Sequence, residues 1–474
     1  MTHAHDSHVR HRIAGVANQR KGAIIVQTAI LMVVLLSMVA FTVDLGCIMV
    51  GRTEMQRAVD SGALAGAGVL GEGATVAEDT ARDFVRQNIV RTRPIADSGV
   101  DVRIGNWDNA GRSFNEGVEP FNSVRVLARD GGYPLFFARV LGHTQHAIAA
   151  QATATFQPRD IMLVLDYSAS MNDDSELSQI GRIGRAPIET NLLQIYNELG
   201  SPQYGSMRWA PTYIASTDNA VIQATLGLNG VPYPYPRGSW AEYFNYVKNS
   251  SVINNAGYRR RYGYLTLVNY WLEQRPMYSE TPDLWRTSEQ PITAVKDAVA
   301  VFLDFVQQVR TDDRVGLVAY TASDGTAVLE SGLTSNMTLV EDISRRRQAG
   351  HYDHFTNIGA GMQKAREEMD RNGRPGTMKL IVLLTDGLAN RPSNPATAAA
   401  LVRNEAQRSA DAEYPIATIS LGSGADTSIM QEVADTTGSV HFNVPGGRTV
   451  SEYEDQLREV FRQIADDRPL VLVK

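Results

Sequence analysis

From Ala23 to Val43 the chain runs apolar without a single charge. As a helix rising about 1.5 Å per residue it covers roughly 30 Å, the hydrocarbon thickness of a bilayer, so the pattern predicts one transmembrane helix over 23–45. A cleaved secretory signal would need a shorter apolar core with a small-residue cleavage site close behind it, and Ala63-Leu64-Ala65 lies too far along. Residues 51–70, GRTEMQRAVDSGALAGAGVL, place small residues at helical spacing, the pattern that allows close helix–helix approach. A second helix is expected from about Val76 to Arg91, so 46–97 reads as a helical segment beyond the membrane. Over 98–157 the period falls to two, in VDVRIG (100–105), SVRVLA (123–128) and AIAAQATATF (147–156), with turn signals between. PLFFARVLG (134–142) reads as a short amphipathic helix, and the whole as a small α+β spacer.

From Arg159 the pattern changes again. Ile161 to Leu165 is a continuous apolar run, the mark of a strand buried on both faces of a parallel sheet. Strand-like runs recur at 313–320, 379–385, 415–422 and SVHFNV (439–444), alternating with helical periodicity at 292–309, 395–411, 427–436 and 449–465. Strands alternating with helices predict an α/β domain over 158–470 with a doubly wound parallel sheet.

Composition narrows the possibilities. The chain has 474 residues, a single cysteine (Cys47) and a formal net charge of -7. One cysteine excludes an internal disulfide framework and cysteine-rich metal sites, and the acidic balance speaks against nucleic acid as a partner. Basic residues precede the apolar run (Arg10, Arg12, Arg20, Lys21) whereas the far side is mixed, so residues 1–22 read as a cytoplasmic basic tail and the bulk as extracytoplasmic. Four of the nine histidines, His3, His5, His8 and His11, sit in this tail and read as solvated rather than metal-binding.

The chemistry sits where two apolar strands end. Ile161–Leu165 runs into Asp166-Tyr167-Ser168-Ala169-Ser170, a D-x-S-x-S string, and Lys379–Leu384 runs into Thr385-Asp386-Gly387. Loops at the carboxyl ends of central strands are where open α/β sheets place their ligands. Alternate residues of an extended turn can aim side-chain oxygens at one point, and carboxylate and hydroxyl oxygens suit a hard cation such as Mg²⁺. Thr356 stands before a helix opening Asn357-Ile358-Gly359-Ala360-Gly361. His351 and His354 add little to an oxygen site and read as loop residues.

Two resemblances follow. The ordered series KGAIIVQTAILM, VDLGCIMVGRTEMQRAVDSGALAGA and a further helix resembles the N-terminal region of TadG-like proteins, which belong to the Tad machinery that assembles Flp pili and are anchored in the bacterial inner membrane. Arg20-Lys21-Gly22 also resembles a prepilin-peptidase site, but Gln27 stands where prepilins carry Glu, leaving processing after Gly22 open. Residues 158–170 and about 290–467 resemble a von Willebrand factor A domain with a metal-ion-dependent adhesion site. That resemblance implies direct cation binding by the hydroxyls of Ser168, Ser170 and Thr356. It implies that Asp166 and Asp386 act through coordinated water, with Asn172, Thr385 and Gly387 shaping the loops. The cofactor is then Mg²⁺, or Mn²⁺ or Ca²⁺, taking a carboxylate from a protein partner as its last ligand. No general base or nucleophile comes with the motif, so a binding protein rather than an enzyme is expected.

One feature departs from the pattern. Residues 172–290 intervene where a helix should follow within a short loop, and this insertion holds 12 of the 18 tyrosines and four of the five tryptophans. Such aromatics suit a recognition surface or the core of a satellite subdomain, and both readings stand. Both ends of the insertion leave beside the D-x-S-x-S loop, so it is expected to flank that site. The expected function is a membrane-anchored binding protein of Flp pilus assembly or surface adhesion, partnered by other pilus-assembly proteins. The alternatives are service in another envelope complex, or a hydrolase using insertion acids such as Glu176, Glu189, Glu198, Glu242, Glu273 and Asp283.

Overall fold

The N-terminal apolar run belongs to one uninterrupted helix, α1 (Ala17–Gly68). The computed structural model describes residues 17–109, 111–119, 121–309, 311–320, 326–445 and 450–473; the four tail histidines lie outside them. Between Ile24 and Val43 the apolar side chains of α1 are almost all exposed. Its most apolar 18-residue window has a mean hydropathy of 2.6 with none of it buried, so α1 is long and apolar enough to cross a membrane. The chain divides into two units, residues 1–156 with 470–474, and residues 157–469.

In the first unit α1 continues past Asp44 into a core it shares with α2 (Ala74–Gln87) and an antiparallel sheet. The strands are β1 (Val100–Asp108), β2 (Ser113–Glu116), β3 (Ser123–Pro134), β4 (Gln145–Phe156) and a C-terminal strand, Leu470–Val473, in the order C-terminal strand, β4, β3, β1, β2. Met55, Val59, Ala63, Ala81, Val85, Val124 and Val126 are buried together, so the segments read separately as 46–97 and 98–157 share one core. The small residues of α1 serve its approach to α2: a Cβ on Gly62 would stand 2.5 Å from Val85 Cγ2 and 2.8 Å from the Ala81 carbonyl oxygen. Residues 134–142 depart from the expected amphipathic helix. Leu135 N–H donates to Thr144 O at 3.1 Å, and only Ala138–Leu141 winds, as a 3₁₀ turn, because the Asp44 carboxylate takes the N–H groups of Phe136, Phe137 and Ala138.

The second unit is a six-stranded α/β sheet of β5 (Arg159–Leu165), β6 (Arg314–Ala319), β7 (Val328–Thr334), β8 (Met378–Thr385), β9 (Ile416–Leu421) and β10 (His441–Val444). The order is β7-β6-β5-β8-β9-β10. The sheet is mixed rather than wholly parallel: β7, which the periodicity did not reveal, pairs antiparallel with β6 at the edge. The insertion contributes α3 (Arg185–Glu198), α4 (Trp240–Asn249) and α5 (Tyr264–Gln274), with shorter helices between. The sheet is flanked by α6 (Ile292–Val309), α7 (Met337–Arg345), α8 (Ile358–Asn372), α9 (Pro395–Asp411), α10 (Thr427–Thr436) and α11 (Val450–Asp466).

At the amino end of β5, fully buried Arg159 donates to Asp313 at 3.0 and 3.1 Å and to the carbonyls of Ile464, Ala465 and Asp467, tying the C-terminal end of α11 to the sheet. At the other end α8 lies unusually close to β5, and Gly361 permits it. A Cβ there would stand 2.8 Å from both Val164 Cγ1 and Tyr320 Cδ1. Gly361→Ala is therefore expected to destabilise the domain by about 1–3 kcal/mol through overpacking, read as a lower urea midpoint with unchanged slope.

The insertion has its own core. Trp271, Tyr243, Phe244 and Tyr262 are fully buried, and the rings of Tyr196 and Tyr264 stack at 4.8 Å. Most of its aromatic side chains are thus spent on packing each other, as a satellite subdomain requires.

Candidate functional site

The register of the sheet brings the sequence motifs together. β5 is central and pairs in parallel with both β6 and β8, with Leu165 opposite Ala319 and Val164 opposite Leu383. The residues that follow each strand, Asp166, Tyr320 and Asp386, therefore emerge at one edge, with Thr385 closing β8 beside them. Thr356 precedes α8, whose N-cap Asn357 accepts from Ala360 N–H at 3.2 Å.

Asp166 is fully buried. Its Oδ1 accepts the Ser168 N–H at 2.9 Å, which curls the D-x-S-x-S loop back on itself. Its Oδ2 accepts the Thr385 hydroxyl at 2.9 Å and the Tyr320 hydroxyl at 3.3 Å. Ser168 Oγ and Ser170 Oγ are 3.1 Å apart, and Ser170 Oγ donates to Asp386 Oδ1 at 2.8 Å. A Cβ on Gly387 would stand 3.7 Å from Ser170 Oγ and 3.8 Å from Thr356 Oγ1, so the Thr356 hydroxyl faces the same centre and the bare Gly387 leaves it room. Thr356 is pinned by Asn390, whose Oδ1 accepts its N–H at 2.9 Å and whose N–H donates to its carbonyl at 3.0 Å. Two carboxylates and three hydroxyls thus converge from three loops. Asn172 is buried nearby in sequence, but its Nδ2 donates to Leu272 O of the insertion at 3.1 Å, so it fastens α5 to the loop.

Tyr320 and Asn390 belong to none of the sequence motifs. The Tyr320 hydroxyl bonds Asp166 and the Leu384 carbonyl, linking the ends of β6, β5 and β8. Its only sequence signal is a tyrosine closing an apolar strand. Asn390 carries no such signal, since it acts on a residue 34 positions away.

The site gathers acidic groups away from water, which disfavours their charged forms. Burial pushes the Asp166 carboxyl above the usual range; burial and then the neighbouring Asp166 charge push Asp386 well above it. Among the described residues no Lys or Arg forms an ion pair with either. A cleft of about 220 Å³ opens here, lined by Ser170 and Asp386, by Asp173, Asp174 and Arg182 from the insertion's root, and by Tyr453 of α11. Arg182 pairs with Asp174. Asp173 is pushed up to about 7 by burial and then by the charges of Asp174 and Glu273.

His351, His354 and three of the insertion's acids make contacts within the fold. His351 packs against the Tyr278 ring at 4.8 Å, and burial followed by the Arg347 charge holds its pKa down to about 4. His354 N–H donates to Asp353. Glu189 accepts the Tyr258 hydroxyl at 2.5 Å, Glu198 accepts Ser288 N–H at 2.6 Å, and Glu273 takes the Tyr246 hydroxyl.

Comparison with known proteins finds family matches over three stretches of the chain. Residues 22–69 match the Flp pilus-assembly TadE/G-like family, residues 65–154 the Tad-like Flp pilus-assembly family, and residues 285–456 the von Willebrand factor type A domain. The last match begins near the end of the insertion, leaving β5 and its D-x-S-x-S loop to be joined to it by the sheet. Vitrin of Mus musculus is 32% identical over 77 residues, which is 16% of this chain and 11% of vitrin, so the chain spans about a tenth of that relative's length. Similar solved structures include a von Willebrand factor type A protein from Catenulispora acidiphila (12% identity, 78% of this chain and 49% of that one, TM-score 0.33). The vWF domain of the type V pili tip protein Mfa5 from Porphyromonas gingivalis is 12% identical over 65% of this chain and 96% of that one, at a TM-score of 0.31. The pilus adhesin SpaC from Lactobacillus rhamnosus GG is 10% identical over 77% and 34%, at 0.34. The chain thus joins TadE/G-like and Tad-like Flp pilus-assembly segments on its N-terminal side to a von Willebrand factor type A domain.

Proposed function

We propose that this is a single-pass membrane protein of Flp pilus assembly or pilus-related adhesion, with residues 1–22 cytoplasmic and the rest extracytoplasmic. Its A domain captures an acidic side chain of a protein partner through a divalent cation, Mg²⁺ by preference, held by Asp166, Ser168, Ser170, Thr356 and Asp386. The observation that carries this reading is the convergence of those oxygens at one sheet edge with no cationic side chain paired, among the described residues, to either buried acid. The donor set fits a hard cation: all oxygen, two acids, and hydroxyls that can turn their lone pairs inward. Bound there, a divalent ion supplies an electrophilic centre for a carboxylate oxygen. The chain's own residues do the rest. Thr385 and Tyr320 hold Asp166 in place, Asn390 holds Thr356, and Gly387 keeps the entrance open. The insertion's root, with Asp173, Asp174 and Arg182, borders the approach and restricts which partner surface fits. The TadE/G-like and Tad-like matches support a pilus-assembly setting, and the exposed apolar length of α1 supports the anchor.

The test is a crosslinking pull-down on the full chain in its native envelope, with Mg²⁺ or with EDTA. A partner captured in Mg²⁺ and lost in EDTA is expected; capture that survives EDTA unchanged overturns the cation's role.

A further inference from the structure

Residues 23–51 carry one charged side chain, Asp44, set where the apolar run of α1 ends. Its neighbours Val43 and Leu45 are each 40% exposed, yet Asp44 is 6% exposed. Oδ1 accepts the Phe136 N–H at 2.7 Å, and Oδ2 accepts those of Phe137 at 3.1 Å and Ala138 at 2.7 Å. An acid that would be costly at a membrane boundary is thereby solvated by backbone donors. The same bonds fix the 135–141 turn beside α1 at that level. One turn further along, the Tyr133 hydroxyl donates to the Cys47 carbonyl at 2.7 Å and holds the base of the turn against the helix.

What the turn presents outward is apolar: Phe136 is 53% exposed, Phe137 47% and Val140 88%. Cations stand behind them. The Arg91 guanidinium lies 4.4 Å from the Phe136 ring centre and 5.6 Å from that of Tyr133, and Arg139 is exposed within the turn. Exposed Phe side chains with arginines beside them are the composition of segments that lie at the headgroup level of a bilayer. On α1 itself, Met49 and Val50 remain exposed beyond Asp44, so the apolar surface does not stop at the acid.

We propose that residues 135–141 are a membrane-interface wedge. Phe136, Phe137 and Val140 enter the headgroup region of the leaflet from which α1 emerges, while Arg91 and Arg139 meet lipid phosphates. The occupant is the bilayer itself, because the Asp44 bonds set the exposed apolar turn at the level where the exposed apolar run of α1 ends. This inference rests on α1 crossing a membrane.

The experiment places the full chain, with Cys47→Ala, in nanodiscs carrying one copy each. An environment-sensitive fluorophore is attached at Val140→Cys, or in a parallel sample at Val34→Cys. Lipids are spin-labelled near the headgroup or near the methyl end. The Val140→Cys label is expected to be quenched several-fold more by the shallow spin label, and the Val34→Cys label more by the deep one. If Val34→Cys is quenched and Val140→Cys stays open to aqueous iodide, the wedge is overturned while the anchor stands. If neither is quenched by lipid, the anchor reading falls and the wedge with it. In a parallel preparation with two copies per disc, protection of Val140→Cys that the one-copy discs lack would make the occupant a second chain and overturn the bilayer assignment.

Discussion

Asp386→Asn is expected to abolish the thermal stabilisation that Mg²⁺ confers while leaving the metal-free protein at least as stable as the parent. The parent should gain RT ln(1 + [Mg²⁺]/Kd), about 2.7 kcal/mol at a hundredfold excess over Kd. For a domain of this size that corresponds to roughly 5 °C in Tm. The amide oxygen of the substituted side chain can still accept the Ser170 hydroxyl, so the loop keeps its bond, but one of two buried acids loses its charge. Because burial and the Asp166 charge already disfavour an ionised Asp386, removing that charge relieves the metal-free fold rather than straining it. Differential scanning calorimetry in Mg²⁺ and in EDTA reads both effects. An upward shift in Mg²⁺ as large in the variant as in the parent would remove Asp386 from the proposed cation site.

The second large effect concerns the insertion. Deleting residues 177–288 and joining the ends with a short glycine linker is expected to leave the sheet folded and Mg²⁺-responsive but to change which partner is captured. The ends already meet: Gln290 N–H donates to Ser175 Oγ at 2.8 Å, and Asp174 N–H donates to Gln290 O at 3.1 Å. The insertion's aromatic core and the cores on either face of the sheet are separate clusters. The sheet side loses acceptors, chiefly the Pro276 and Thr281 carbonyls that take the buried Gln348 amide. Leaving that amide without them costs about 1–3 kcal/mol. A cooperative calorimetric transition with the Mg²⁺ shift retained is the expected record. A broad, metal-insensitive transition would mean that the sheet depends on the insertion.

The two predictions draw on parts of the molecule that the sequence disclosed unequally. Strands β5 and β8 were legible because burial on both faces demands an unbroken apolar run, and the acids that follow them inherit their position from the sheet. The apolar stretch of α1 was legible because a helix long and apolar enough to cross a membrane is marked by length and composition alone. Strand β7 was not: VLESGLT, half-exposed and bearing Glu330, has no local mark, and only its antiparallel partner makes it a strand. Tyr320 and Asn390 escaped because each acts on a residue distant in sequence. The aromatic wealth of the insertion was visible, but whether Tyr243 or Trp271 faces solvent or another ring depends on partners that composition does not place. The turn at 134–142 misled because its apolar spacing imitates a helix, while the groups that shape it belong to Asp44.

The C-terminal strand imposes an order on folding. Leu470 pairs with Phe156 and Val473 with Thr153, so the sheet of the anchored unit gains its last strand only after residues 157–469 have been synthesised. Until then β4 presents a row of unsatisfied backbone donors and acceptors, a template for misassociation between nascent chains. Vectorial synthesis lets the A domain collapse on its own during that interval, since its sheet needs nothing from residues 470–473. Only a chain carried past residue 469 can seal that edge.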